Sequence, residues 1–310
     1  MVPEGEARAR PWWRREPSES IRVRHYAGPR VYTEQLQHLR VAHLTDLHVG
    51  RVTPRKVHDA AVALTNAAKP DLVVITGDFV CHSQHYLDTL EEIVRGFEAP
   101  VVGVLGNHDH WSGGAEVKAA LERGGVAVLS NANTTLTLRH QKLQIVGLDD
   151  AYTGHHDRAK ALKGLDPKIA TLGLSHIAEE ADRLWPFGVP LVLSGHTHAG
   201  QITVARLHEL SIGKLAGHKY VHGMYGDRTG QRPGTGAVYV GAGLGAAVMP
   251  LRFGERGKRE VTLFELGVEP GTLLEPLPEQ APLLGRAPTE ALTAKRNLAV
   301  YQKRARREGR

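Results

Sequence analysis

Leu72-Val73-Val74-Ile75-Thr76-Gly77-Asp78 is an apolar, β-branched run that stops at a glycine and a carboxylate. A run this short, closed by a turn residue, reads as a buried strand that releases its last side chain at a sheet edge. The same grammar repeats outward. Upstream, Leu39–Leu44 leads into Asp46-Leu47-His48; downstream, Val101–Leu105 leads into Gly106-Asn107-His108-Asp109. Further on, Ile169–Leu174 precedes Ser175-His176, and Leu191–Leu193 precedes Gly195-His196-Thr197-His198. Five strands that each end in a carboxylate, amide or imidazole aim those groups at one edge. Oxygen and nitrogen donors gathered without a thiolate suit a pair of divalent metal ions, which points to metal-dependent hydrolysis.

Helical spacing fills the gaps between these strands. Pro54–Ala68 is expected as a helix with Thr53 as its cap, and Tyr86–Phe97 and Ala115–Arg123 as two more. Such alternation implies right-handed crossovers and a mainly parallel first sheet. From Gly125 the texture changes to short strands, Thr134–Leu138 and Lys142–Gly147, which open a second sheet. Ala178–Leu184 reads as a helix, and Ala237–Gly241 and Glu260–Leu266 as late strands. The expected fold class is α/β: a four-layer α/β/β/α sandwich of two facing mixed β-sheets, with the metal site at the strand C-terminal ends. The chain divides into a basic N-terminal arm and lead-in strand (1–37), the main domain (38–267), a linker (268–288) and a basic C-terminal helix (289–310). Gly213–Gly236, rich in Gly, His and Tyr, is expected as an irregular lid or binding loop.

The ordered series D-x-H, G-D, G-N-H-D, H, G-H-x-H resembles the calcineurin-like metallophosphoesterase superfamily, from about Arg40 to Leu266. Gly200-Gln201, Gly147-Leu148-Asp149-Asp150 and Tyr239–Gly245 with Pro250–Phe253 resemble a bacterial membrane-associated branch, related to UDP-2,3-diacylglucosamine pyrophosphatase-like enzymes. The resemblance implies two divalent ions (manganese, iron, zinc or cobalt). The first would be bound by Asp46, His48 and His198, the second by Asn107, His176 and His196, with Asp78 bridging. It also implies attack of a metal-bridged hydroxide on phosphorus, with His108 beside the leaving oxygen and Asp109 orienting His108. The implied substrate is a phosphorylated small molecule, a phosphodiester or pyrophosphate, lipid-linked or of UDP-acylglucosamine type. A soluble cyclic-nucleotide or general phosphodiesterase is the alternative, and a catalytically inactive scaffold a third reading. The branch commonly carries an arginine where Ala242 stands, so Arg252 or Arg228 is the candidate to neutralise phosphate. His155-His156, His218 and His222 are candidate outer contacts, while His43 and Cys81 read as packing residues.

Composition narrows the partners. With 310 residues, 41% of them hydrophobic, the chain can bury a full core. Cys81 is its one cysteine, which excludes an intrachain disulfide. No run approaches the roughly 20 apolar residues that span a bilayer, and Glu16-Pro17-Ser18-Glu19 follows Arg14-Arg15 where a signal would be apolar. The expected location is cytoplasmic. The net charge is +6, with four arginines around Trp12-Trp13 and seven Lys/Arg from Lys295 to Arg310. Those ends suit an anionic membrane surface at the inner face. With 5% aromatic residues and no stacking platform, no specific nucleic acid is predicted, nor any protein partner. Phe79-Val80-Cys81-His82 after Gly77-Asp78 lacks the Asp-Arg-Gly of the Ser/Thr phosphatases.

Overall fold

The computed structural model describes residues 17–200, 217–232, 234–246, 252, 254–283, 294, 295 and 297–302. The arginines around Trp12-Trp13 and most of the basic tail lie outside the described residues. In chain order the strands are β1 (Ile21–Ala27), β2 (Leu39–Leu44), β3 (Leu72–Thr76), β4 (Val101–Val104), β5 (Val126–Val128) and β6 (Ala132–Leu138). They continue with β7 (Gln141–Leu148), β8 (Ala170–Ser175), β9 (Leu191–Ser194), β10 (Gly223–Gly226), β11 (Ala237–Val240) and β12 (Arg259–Leu266). The helices are α1 (Tyr32–Gln35), α2 (Arg55–Ala67), α3 (Leu87–Val94), α4 (Asn107–Arg123), α5 (Arg158–Leu162) and α6 (Ala181–Leu184).

Two six-stranded sheets result, ordered β1-β12-β2-β3-β4-β5 and β10-β11-β9-β8-β7-β6. In the first, β2 to β5 run parallel, while β12 wedges antiparallel to β2 and parallel to β1. In the second, β7, β8, β9 and β11 run parallel between antiparallel neighbours. This is the expected sandwich of mixed sheets with flanking helices. The period of a strand explains the unbroken apolar runs. Leu72 and Val74 of β3 enter the core shared by the two sheets. Val73 and Ile75 enter the core beneath α2, α3 and α4. A third core, with Leu184 and Tyr220, covers the outer face of the second sheet.

Several boundaries differ from the sequence reading. Pro54 is extended (φ −62°, ψ 138°) and is itself the cap, so the helix starts at Arg55 rather than Pro54. α4 begins at Asn107, well before Ala115, and breaks at Gly113 (φ 108°). The segment expected to be irregular contains β10, paired with β11. Beyond β12 the chain returns to the second sheet: Gln280 N–H donates to Met224 O (2.9 Å) and Leu283 N–H to Lys219 O (2.9 Å). Among the described residues no helix is long and apolar enough to cross a membrane.

Candidate metal centre

Every singled-out donor leaves the C-terminal end of a parallel strand: Asp46 and His48 after β2, Asp78 after β3, Asn107 after β4, His176 after β8, His196 and His198 after β9. The backbone turns sharply there. Asp46 (φ 51°), His48 (43°), Asp78 (55°), His196 (74°) and His198 (51°) all occupy the left-handed region. Each such residue costs energy that surrounding structure must offset, and strain of this kind collects at functional sites. Inter-strand bonds hold the turns: Asp46 N–H donates to Gly77 O (3.0 Å), His48 N–H to Asp78 O (2.9 Å) and Gly245 N–H to Asp46 O (2.7 Å). A Cβ at Gly195 would overlap Thr45 Oγ1 and Asp46 Oδ2, so only glycine lets β9 approach this closely.

The side chains meet in two groups about Asp78. On one flank, Asp46, His48, Asp78 and His198 offer donor atoms that all lie within 4.8 Å of one another. Here His48 Nε2 and His198 Nε2 stand 3.0 Å apart. His198 Nε2 lies 3.3 Å from Asp46 Oδ1. On the other flank, His196 Nδ1 lies 2.9 Å from Asn107 Oδ1 and 3.3 Å from His176 Nε2. Asp78 Oδ2 reaches both sides, at 3.6 Å from His48 Nε2 and 3.4 Å from His176 Nε2. All seven residues named in the sequence therefore converge.

This donor set fits cations. Asp46 Oδ1 is fully buried and has no hydrogen-bond partner, and the Nε2 atoms of His48 and His198 face each other. Burial pushes His48 down to about 4 and His198 down to about 3, so both are neutral at neutral pH, as ligation requires. Burial also opposes charge on His176, but Asp78 outweighs it and raises that histidine to about 10. Burial opposes the charge on Asp78 too, yet the histidines hold its carboxyl well below the usual range. Supporting groups fix the ligand orientations: Thr45 Oγ1 donates to Asp46 Oδ2 (2.8 Å), and Thr76 O lies 2.7 Å from His176 Nδ1, which turns Nε2 inward.

His108 and Asp109 part company. His108 N–H donates to Asp78 Oδ1 (2.8 Å), and its Nε2 lies 4.0 Å from Asp78 Oδ2. Asp109 does not orient it, contrary to expectation. Its Oδ1 accepts from Phe79 N–H (2.8 Å) and Val80 N–H (3.1 Å), and its Oδ2 from Gly106 N–H (2.9 Å). The third residue of α4 points back at the cap and the β3 loop, as in a capping box, which turns it away from the imidazole beside it. Burial and the Asp78 charge push Asp109 up to about 7.

The outer candidates scatter. His155 stacks on His110 (3.8 Å between centroids), and His110 Nε2 lies 2.7 Å from Asp149 Oδ1. His218 sits 5.3 Å from the His196 ring and 3.1 Å from Glu179 Oε1. His222 is instead a partner of Glu260 (3.1 Å). Arg228 is neutralised by Glu275 and Glu279 (2.6 Å each) and is spent as a phosphate ligand. Arg252 donates to the carbonyls of Ala242 (2.6 Å) and Gly245 (2.5 Å), bracing the loop behind Asp46. His43, 2% exposed, packs against Thr76 Oγ1 at 2.8 Å. Sequence reading missed an aromatic rim. Trp111 lies 4.9 Å from the His108 ring and 6.1 Å from Tyr152, whose ring is 5.2 Å from His196. The spacing of Asn107 and Trp111 gave no signal, because the helix that places both was expected to begin only at Ala115.

Residues 39–200 match the family profile described as "Calcineurin-like phosphoesterase". The chain is 32% identical over 233 residues to "Uncharacterized metallophosphoesterase YkuE" of Bacillus subtilis (strain 168), covering 73% of this chain and 78% of that one. It is 27% identical over 237 residues to "Phosphodiesterase YaeI" of Escherichia coli (strain K12), covering 73% and 82%. It spans 59%, 45% and 54% of the length of three other curated relatives. Among solved structures, calcineurin-like phosphoesterase YfkN from Bacillus subtilis aligns with a TM-score of 0.42 at 12% identity, over 87% of this chain and 99% of that one.

Proposed function

The chain belongs to the calcineurin-like phosphoesterases, and on that premise we propose that its converging donors hold two divalent ions and hydrolyse a phosphodiester or pyrophosphate bond. It is a metal-dependent phosphoric ester hydrolase. The observation that carries the two-ion reading is the position of Asp78 Oδ2, between the Nε2 atoms of His48 and His176 with a further donor pair behind each. Asp46, His48 and His198 would hold one ion and Asn107, His176 and His196 the other, with Asp78 shared. Bound ions supply a Lewis acid for the phosphoryl oxygens and a more acidic water.

The chain's own groups do the rest. Asn107 offers a neutral oxygen, so its flank gains a donor without further negative charge. Thr45 and the Thr76 carbonyl fix Asp46 and His176 before substrate arrives. Burial pushes His108 down to about 3, so the free chain holds it neutral, with one N–H to offer the leaving oxygen. An anionic phosphodiester beside Nε2 would raise its proton affinity and let it assist departure of the alkoxide.

A narrower substrate, a lipid-linked or UDP-acylglucosamine-type diphosphate met at the inner membrane face, draws support from the basic ends of the sequence and from the resemblance of the late loop. The test is hydrolysis of bis-p-nitrophenyl phosphate with added manganese, with metal content measured on the same sample. Two ions per chain and turnover are expected. A panel of UDP-linked lipids and cyclic nucleotides then ranks the substrates. Fully loaded protein that turns over no phosphodiester or diphosphate would sink the reading.

A further inference from the structure

One part of the rim comes from far along the chain. Asn297 is 9% exposed, although its described neighbours Ala294, Lys295, Leu298, Ala299, Tyr301 and Gln302 are exposed and Val300 is half-buried. A segment that docked for apolar burial would turn Leu298 or Tyr301 inward, yet these are 57% and 40% exposed. It turns inward an amide instead. Asn297 Oδ1 accepts from Trp111 Nε1 (3.1 Å) and Asn297 Nδ2 donates to Tyr152 O (2.7 Å). Both ends of one planar group are thus used, which fixes the indole and the Tyr152 loop relative to each other.

The two gripped residues flank the chemistry. Trp111 lies against His108 and is nearly parallel to His82 (7° between planes, 6.0 Å between centroids); the His82 ring is 4.2 Å from that of His108. Tyr152 leans on His196. From this arrangement we propose that Asn297 is a specificity-determining residue: by holding Trp111 and Tyr152 in edge contact it keeps the aromatic wall beside His108 closed and so selects for compact leaving groups. The inference rests on the phosphoesterase reading and on His108 facing the leaving oxygen. The side-chain amide of Asn297 bonds to Trp111 and Tyr152, so it acts by positioning them.

The test compares kcat/KM for two methyl phosphodiesters, one losing p-nitrophenol and one the larger 4-methylumbelliferone, in the manganese-loaded chain of residues 1–310. In the wild type the smaller leaving group is favoured. Asn297→Ala should lower that preference about fivefold, the scale of one lost hydrogen bond. Asn297→Asp, nearly the same shape, keeps an acceptor for Trp111 but loses the donation to Tyr152, and should fall between. Trypsin cleavage after Lys295 should quicken about fivefold in Asn297→Ala if the grip is what holds the segment. A preference that stays fixed while both rates change together, or unchanged cleavage, overturns the proposal. Wild-type protein with bound metal that turns over neither ester, nor any phosphodiester or diphosphate of the panel, overturns the phosphoesterase reading itself, so the two failures are distinct.

Discussion

Two buried polar clusters lie close together in this molecule, and they differ in one respect that separates a site from a support. Around Glu260, 3% exposed, every carboxylate valence is met by the chain. Arg24 Nε (2.7 Å) and His222 Nε2 (3.1 Å) meet Oε2, while Tyr239 O–H (2.9 Å) and Ala242 N–H (2.8 Å) meet Oε1. Around Asp78 the acceptors face one another, Asp46 Oδ1 has no partner, and the backbone is bent into the left-handed region. A carboxylate met on both oxygens ties strands together and asks for nothing more. An acceptor-rich cluster held open at the cost of strain is arranged for cations that the chain does not supply.

The sharpest way to break this distinction is to remove one carboxylate from each cluster. Asp78→Asn keeps the shape but removes the shared negative charge. Phosphodiester turnover should fall about 1,000-fold with bound metal reduced, while unfolding of the metal-free protein changes little. Glu260→Ala should do the reverse. Leaving Arg24 buried without its counter-charge should cost about 3 kcal/mol in urea unfolding. Metal content of the folded fraction should stay as in the wild type. If Glu260→Ala lost metal as Asp78→Asn does, the two clusters would be one unit.

Chelation probes the same contrast through linkage. Ion present at about 100 times its dissociation constant should stabilise the wild type by about 2.7 kcal/mol, seen as a higher melting temperature. Asp78→Asn should show little of that gain. Should metal leave the wild-type melting temperature where the chelated protein melts, the acceptor cluster is not a cation site.

Acid gives the smallest effect. Burial opposes charge on Glu260, but His222, Arg24 and the Ala242 N–H outweigh it and hold its carboxyl well below the usual glutamate value. A depressed carboxylate contributes stability that is present above its unfolded pKa, near 4.3, and is lost as pH falls toward its folded value. Between about pH 4.5 and 2, urea stability of the chelated wild type should decline more steeply than that of Glu260→Gln. Equal slopes in the two proteins would remove Glu260 from the account.

What the sequence determined by itself was everything that repeats locally. Each donor cluster follows its own short apolar run, so order, strand context and donor type could be read within a dozen residues of each cluster. β3 shows why: apolar side chains on both faces announce a strand buried on both sides, and Gly77 marks where it must turn. Helix starts were less legible, because Pro54 is compatible with a cap or a first turn, and the early start of α4 depends on Asp109 accepting both from Gly106 N–H and from the neighbouring β3 loop.

Only the tertiary structure decided the assignments that depend on distant partners. Asp109 looked like the companion of His108 because it is adjacent, yet it is consumed by backbone N–H groups of the β3 loop, 30 residues away. Glu260 gained its meaning when β12 inserted between β1 and β2, and Arg228 lost its candidacy to Glu275 and Glu279. Asn297 crosses 186 residues to reach Trp111. The physical reason is common to all four. Hydrophobic periodicity fixes which face of an element is buried, but the partner of a polar side chain is set by how elements stack, and no local pattern carries that information.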